Sequence, residues 1–153
     1  VEAGADLSRH RFHTSVVDRG HETGAYGYAQ AQVATASVRG VERKGIAAHP
    51  PPTGQTLVGF ALTLPRDPVR LTGFVGIRDG AEGKSNGVGF CVLVNGTEEY
   101  RRNVGSTDPW QPFEVALDRW AGQTVVLTLV TDSLGDYSFD WANWGDLRLE
   151  PAR

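Results

Sequence analysis

Short runs of strand-forming residues, broken by glycine and proline every few positions, constrain this chain more than anything else in it. The runs fall at residues 56–64, 69–78, 87–94, 98–104, 113–117, 124–131 and 146–149. Few stretches hold a helical period beyond two turns, and 19 Gly and 8 Pro in 153 residues supply the punctuation. Asn95-Gly96 is the strongest turn signal, because a tight hairpin needs residues that tolerate positive φ. Ala121-Gly122 and Leu134-Gly135-Asp136 mark two more turns, and Asp118-Arg119-Trp120 a single helical turn. Turns at this spacing are those of an all-β sandwich.

Several runs are apolar on both faces. Val125, Leu127 and Leu129 alternate with Val126, Thr128 and Val130, and Phe90 and Val92 alternate with Cys91 and Leu93. A strand covered on both sides sits centrally. The expected fold is therefore a two-sheet antiparallel β-sandwich, jelly-roll-like. With 40% hydrophobic residues the chain can build one core but not two. Residues 38–153 carry the sandwich pattern. Residues 1–37 belong to the same domain as a strand or loop region without a clean period, and are left unassigned.

Charge narrows the function. The net charge is −3 and the basic residues are scattered, so no stripe exists to neutralise a nucleic-acid backbone. No apolar run approaches a membrane span. The chain contains no Met and no signal peptide, and reads as a module cut from something longer. Cys91, set among apolar strand residues, reads as a small buried hydrophobe. Signatures of serine hydrolases, phosphate loops and zinc proteases are absent, and His10 and His13 have no second pair to complete a zinc site.

Tyr137-Ser138-Phe139-Asp140-Trp141-Ala142-Asn143-Trp144-Gly145-Asp146 concentrates aromatics and carboxylates. A flat ring beside hydrogen-bonding groups suits a sugar, whose C–H face stacks while its hydroxyls bond. Core packing is the alternative for each ring. Strand alternation sets residues 141 and 144 on opposite sides, so one is a platform at most and the other is core. Tyr137 and Trp110 are the substitutes.

Three segments in order carry a resemblance. They are Lys44-Gly45-Ile46-Ala47-Ala48-His49-Pro50, then Phe74-Val75-Gly76-Ile77-Arg78-Asp79-Gly80 with the hairpin of 87–96, then Phe139-Asp140-Trp141-Ala142-Asn143-Trp144-Gly145-Asp146. Together they resemble the NPCBM family of carbohydrate-binding β-sandwich domains over about residues 38–149. Three departures stand out: Pro50 after the His, Arg78 before Asp79, and Asn95 where the family commonly has Asp.

The resemblance implies a non-catalytic carbohydrate-binding module, secreted or at a bacterial cell surface. It would be a monomer covalently linked to catalytic or surface domains, taking mono- or oligosaccharides, galactose-type sugars among them. It brings His49, Arg78, Asp79, Tyr137, Asp140, Trp141 and Trp144 towards one rim. By analogy with sugar-binding sandwiches it also implies a structural calcium ion, with Asp146 as first ligand and Asp132, Asp136, Asp140 and Glu150 as further oxygens. The alternatives are plain ones: His49 capping a turn, Arg78 and Asp79 as a surface ion pair, Asp140 bonding loop amides, Asp146 solvated. A structural or protein-interaction sandwich is the alternative function. An enzyme is the less favoured reading, although His49, Tyr137 and Arg78 are a set that a lyase could use.

Overall fold

The structure, a computed structural model, describes residues 1–153. Its strands are β1 (His13–Asp18), β2 (His21–Thr23), β3 (Gln30–Val38), β4 (Val41–His49), β5 (Gly54–Thr63), β6 (Val69–Ile77), β7 (Val88–Val94), β8 (Thr97–Val104), β9 (Gln111–Ala116), β10 (Thr124–Asp132) and β11 (Ala142–Pro151). They form two antiparallel sheets. One has six strands in the order β2-β1-β5-β10-β7-β8, and the other has five in the order β3-β4-β11-β6-β9.

Alternation places the core. Val58, Phe60 and Leu62 of β5, Val125, Leu127 and Leu129 of β10, and Leu71, Val75 and Ile77 of β6 all face the space between the sheets and are buried. Each such side chain contributes about 1.5–3 kcal/mol by leaving water. Trp144 of β11 lies at the centre, fully buried, with Phe90 at 5.2 Å and Phe113 at 5.5 Å in edge-to-face packing. Those two rings come from opposite sheets, so the indole joins the layers. Cys91 is buried on β7, and burial beside Glu98 pushes its thiol up to about 11, which leaves it inert.

Residues 1–37 contribute strands to both sheets. β1 pairs with β5, and β3 pairs with β4 along its whole length, from Gln30 opposite His49 to Val38 opposite Val41. β3 is an edge strand with mostly uncovered side chains, so it needs no apolar alternation and shows none. Its hairpin to β4 turns on Arg39 (φ 49) and Gly40 (φ 80), and Asn95 (φ 50) with Gly96 (φ 82) turns β7 into β8. Both have positive φ at the two central positions, the turn that matches the twist of paired strands. Upstream, Leu7 drops fully into the core from a 3₁₀ turn (Leu7–Arg9) capped by Asp6.

Two expectations need correction. Val126 is 52% exposed, so the outward face of β10 is partly wet. β10 is central because β5 and β7 flank it, not because both its faces are covered. Ala121-Gly122 forms the expected turn, with Gly122 at φ 73, in the β9–β10 connection that carries the chain from one sheet to the other. The last strand starts at Ala142 rather than 146 and holds a bulge between Gly145 and Arg148.

Trp144→Ala should cost about 3–5 kcal/mol, as expected for deleting a large core ring. Trp144→Phe should cost far less, because the indole N–H has no acceptor to lose. Urea unfolding of the two variants checks both values.

Candidate functional site

The outward face of the five-stranded sheet carries the site, and strand register builds it. Ala142 pairs with Ile77, so Trp141 and Arg78 stand side by side, and the Arg78 amide donates to the Trp141 carbonyl at 2.9 Å. Gln30 lies opposite His49 in the neighbouring strands. One row along, Gln32, Ala47, Asn143 and Gly76 line up across β3, β4, β11 and β6. Small residues (Ala34, Ala36, Ala47) make a floor and the larger ones make walls, giving a groove of about 300 Å³. It shares Tyr28, His49 and Trp141 with a second hollow of about 340 Å³ lined also by Tyr137, Ser138 and Phe139. Beyond it Trp110 lies against Gly76 and Gly145, where a Cβ would come within 3.0 Å and 3.2 Å of its ring. The Trp110 indole donates to the Val41 carbonyl at 2.7 Å, which makes it structural.

Five aromatic rings meet here. His49 lies 5.6 Å from Tyr137 at a steep angle and 6.1 Å from Tyr28, and Phe139 lies 5.3 Å from Trp141. Trp141 is half-buried, backed by Gly80, and carries the Arg78 guanidinium 4.4 Å from a ring centroid. Tyr28 is 73% exposed, the ring that the protein leaves most open. The His49 Nδ1 donates to the Pro50 carbonyl at 2.8 Å, so the proton resides there and Nε2 offers a lone pair. Burial pushes the imidazole below its usual range, against the opposing pull of the Pro50 carbonyl. His49 is therefore a neutral hydrogen-bond acceptor at physiological pH.

Of the residues expected at the rim, His49, Arg78, Tyr137 and Trp141 come together. The others do not. Trp144 is interior, as its inward register demands. Asp79 accepts from the Arg39 and Gly40 amides at 2.6 Å and 3.0 Å and from Ser37 Oγ at 3.1 Å, locking the β3–β4 turn; these bonds, the Gly40 one foremost, hold its carboxyl low. It makes no ion pair with Arg78. Asp140 is fully buried, with Oδ1 taking a bond from Ser85 at 2.7 Å and Oδ2 unpartnered, so it touches no ligand from the groove. Asp146 sits in the β11 bulge at φ 49, 2.6 Å from the Arg43 guanidinium.

Asp146, the first ligand expected for calcium, is paired with the Arg43 guanidinium, and no three His, Cys, Asp or Glu side chains gather into a cluster.

A larger trough of about 710 Å³ runs along the other end of the same face. Its charges cancel internally: Arg70 and Arg153 both engage Glu114, and Arg43 both engages Asp146 and covers the Phe74 ring at 3.5 Å. It offers no open ring, so the aromatic groove is the better site.

Sequence reasoning missed Tyr28, Gln30, Gln32, Phe139 and Asn143. The alternation of Gln30 and Gln32 in a β-forming stretch was the available signal. Tyr28 gave none beyond its place beside Gly27.

No curated protein matches the chain by sequence. Solved structures match it by shape. The CBM51 module of Clostridium perfringens GH95, in complex with methyl-galactose, superposes with a TM-score of 0.68 at 19% identity, covering 96% of this chain and 99% of that one. The tandem CBM51 modules of a family 98 glycoside hydrolase from Streptococcus pneumoniae SP3-BS71 give 0.70 at 13% identity, over 98% of this chain but 47% of that one. TmCBM61, in complex with β-1,4-galactotriose, gives 0.58 at 14% identity, over 94% and 90%. The fold is thus the β-sandwich of carbohydrate-binding modules. The family follows from the sequence itself: the profile of the NPCBM/NEW2 domain matches residues 16–150, and the chain belongs to that family.

Asp140 makes a pH-dependent prediction. Burial, with Asp136 and Asp132 nearby, pushes its carboxyl up from 3.8 to about 7, against the Ser85 bond. A raised carboxyl favours folding while protonated, and that contribution is lost as pH rises through its folded value. Asp140→Asn removes the titration. Its melting temperature relative to the native chain should therefore climb between about pH 4 and about pH 8 and level off above. Thermal unfolding across that range checks it.

Proposed function

We propose that this chain is a non-catalytic carbohydrate-binding module whose ligand lies in the groove between Tyr28 and Trp141. The observation that carries this is the open Tyr28 ring facing a set of neutral hydrogen-bonding groups, His49, Gln30, Gln32 and Asn143, on a rigid sheet. A pyranose needs that combination, an apolar face to stack on and donors and acceptors for its hydroxyls. Membership of the NPCBM/NEW2 family and the likeness to modules solved with methyl-galactose and β-1,4-galactotriose support a galactose-type sugar. The lining counts against glycoside hydrolysis, because neither hollow of the groove contains an Asp or Glu side chain. Glycoside hydrolysis by the usual route needs two such carboxyls.

The groove is shallow, so the isolated module, a monomer in this reading, binds weakly. It works as an appended part of a larger bacterial protein outside the cell, whose other domains gain from the tether. The resemblance to modules found within longer chains supports this arrangement.

Isothermal titration with galactosides and β-1,4-galactan tests the reading. Tyr28→Ala and His49→Ala should each weaken binding by roughly tenfold, about 1.4 kcal/mol, while the glycans stay intact. Failure to retain any glycan from a broad neutral and acidic panel would leave a structural sandwich instead. Product released from the glycans would make it an enzyme.

A further inference from the structure

The groove carries an electrostatic bias that a site for neutral sugars does not require. Arg78 is exposed, makes no ion pair, and donates no side-chain hydrogen bond within the chain. It is nonetheless held in place, stacked on Trp141 at 4.4 Å. A second cation lies over the neighbouring ring: Lys84 Nζ is 5.1 Å from the Phe139 ring, which itself packs on Trp141. Both cations are thus mounted on one aromatic pair at the edge of the groove.

No carboxylate lines the groove, and none forms an ion pair with either cation. Asp79 is bound by the β3–β4 turn, Glu82 accepts from the Gly80 amide at 2.9 Å, and Asp140 is buried. In a protein of net charge −3, the one charged side chain that lines the groove is thus the cation Arg78. Guanidinium and ammonium groups only donate hydrogen bonds, whereas a sugar hydroxyl both donates and accepts. Fixed donors without fixed acceptors of matching charge favour a ligand rich in acceptors. A carboxylate or sulfate also matches the planar fork of Arg in a way a single hydroxyl does not.

We infer that the groove recognises an acidic sugar, a pyranose bearing a carboxylate or a sulfate ester, with Arg78 pairing to the anionic group and Tyr28 taking the ring face. This rests on the reading of the groove as a sugar site and names its substrate class. Lys84 adds attraction without a fixed contact. Because the Arg78 pair is partly exposed, salt weakens it.

The test titrates the chain with three probes: polygalacturonate, a sulfated galactan and neutral β-1,4-galactan, at low and high ionic strength. The expected result is binding to one or both anionic polymers at least tenfold tighter than to the neutral one. That preference should be lost in Arg78→Gln and with added salt. Arg78→Lys should keep part of it, since the charge survives and the fork does not. Preference for polygalacturonate alone supports a carboxylate ligand, for the sulfated polymer alone a sulfate, and for both a site that reads charge. Binding to neutral galactan that equals or exceeds the others, or an anionic preference unchanged by Arg78→Gln, overturns the inference and leaves the sugar-binding reading intact. Binding to none of the three, with none to the broader panel, overturns both. A melting temperature for each variant equal to that of the native chain certifies that the loss is one of recognition.

Discussion

The two indoles at either side of Asn143 are placed by one burial event. Trp144 packs against Phe90 and Phe113 and fixes which face of β11 looks inward. Alternation then turns Asn143 outward, and just ahead of the strand Trp141 joins that face. Pairing of β11 with β6 sets Trp141 beside Arg78, and pairing with β4 sets Asn143 opposite Ala47. A slip of one residue would exchange the faces, exposing the core indole and burying the groove wall. The hydrophobic cost of such a slip is what keeps the outward groups in register.

Carboxylates act here mainly as struts. Asp18 accepts from the Thr53 amide, Asp108 from Gly105, Asp132 from Leu134, and Asp136 from Ser138. Each bond satisfies a donor that a turn leaves without a partner. Asp79 does the same for the two positive-φ residues of the β3–β4 turn, one of which is the non-glycine Arg39. None of these acids lines the groove, where Arg78 is the one charged side chain, so the lining and the whole chain carry charge of opposite sign.

Much of the sandwich could be read from the chain because its inner strands alternate and Asn95-Gly96 announces its hairpin. The first strands could not. β3 is an edge strand whose polar and small residues satisfy no periodic template, and its turn is Arg-Gly, which lacks the usual Asn or Asp. At the site, His49, Arg78, Tyr137 and Trp141 were legible through their segments. Trp141 and Trp144 could be told apart only as a pair of opposite parity, since nothing in the letters says which face looks inward. The acids were misread for a physical reason. Whether an Asp is buried, capping or free depends on amides that tertiary structure brings to it, as the Ser85 bond to Asp140 shows.

Tyr28 is the least determined part of the groove, and its setting explains how an exposed ring can still serve recognition. The Tyr26 and Ala29 amides and carbonyls exchange bonds of 3.0 Å and 2.9 Å, Ala29 is buried, and the Tyr26 hydroxyl donates to Asp18 at 2.5 Å. The loop that bears Tyr28 is thus fixed at both ends while the ring itself is left in solvent. Ordering one tyrosine side chain costs about 0.5–1.5 kcal/mol on binding, far less than ordering a loop would. Across the groove, Arg78 is already held against Trp141, so little is lost in positioning it. A shallow site with few contacts can recognise a ligand only if its groups are preorganised in this way. What such a groove lacks in depth, a covalent tether supplies as effective concentration.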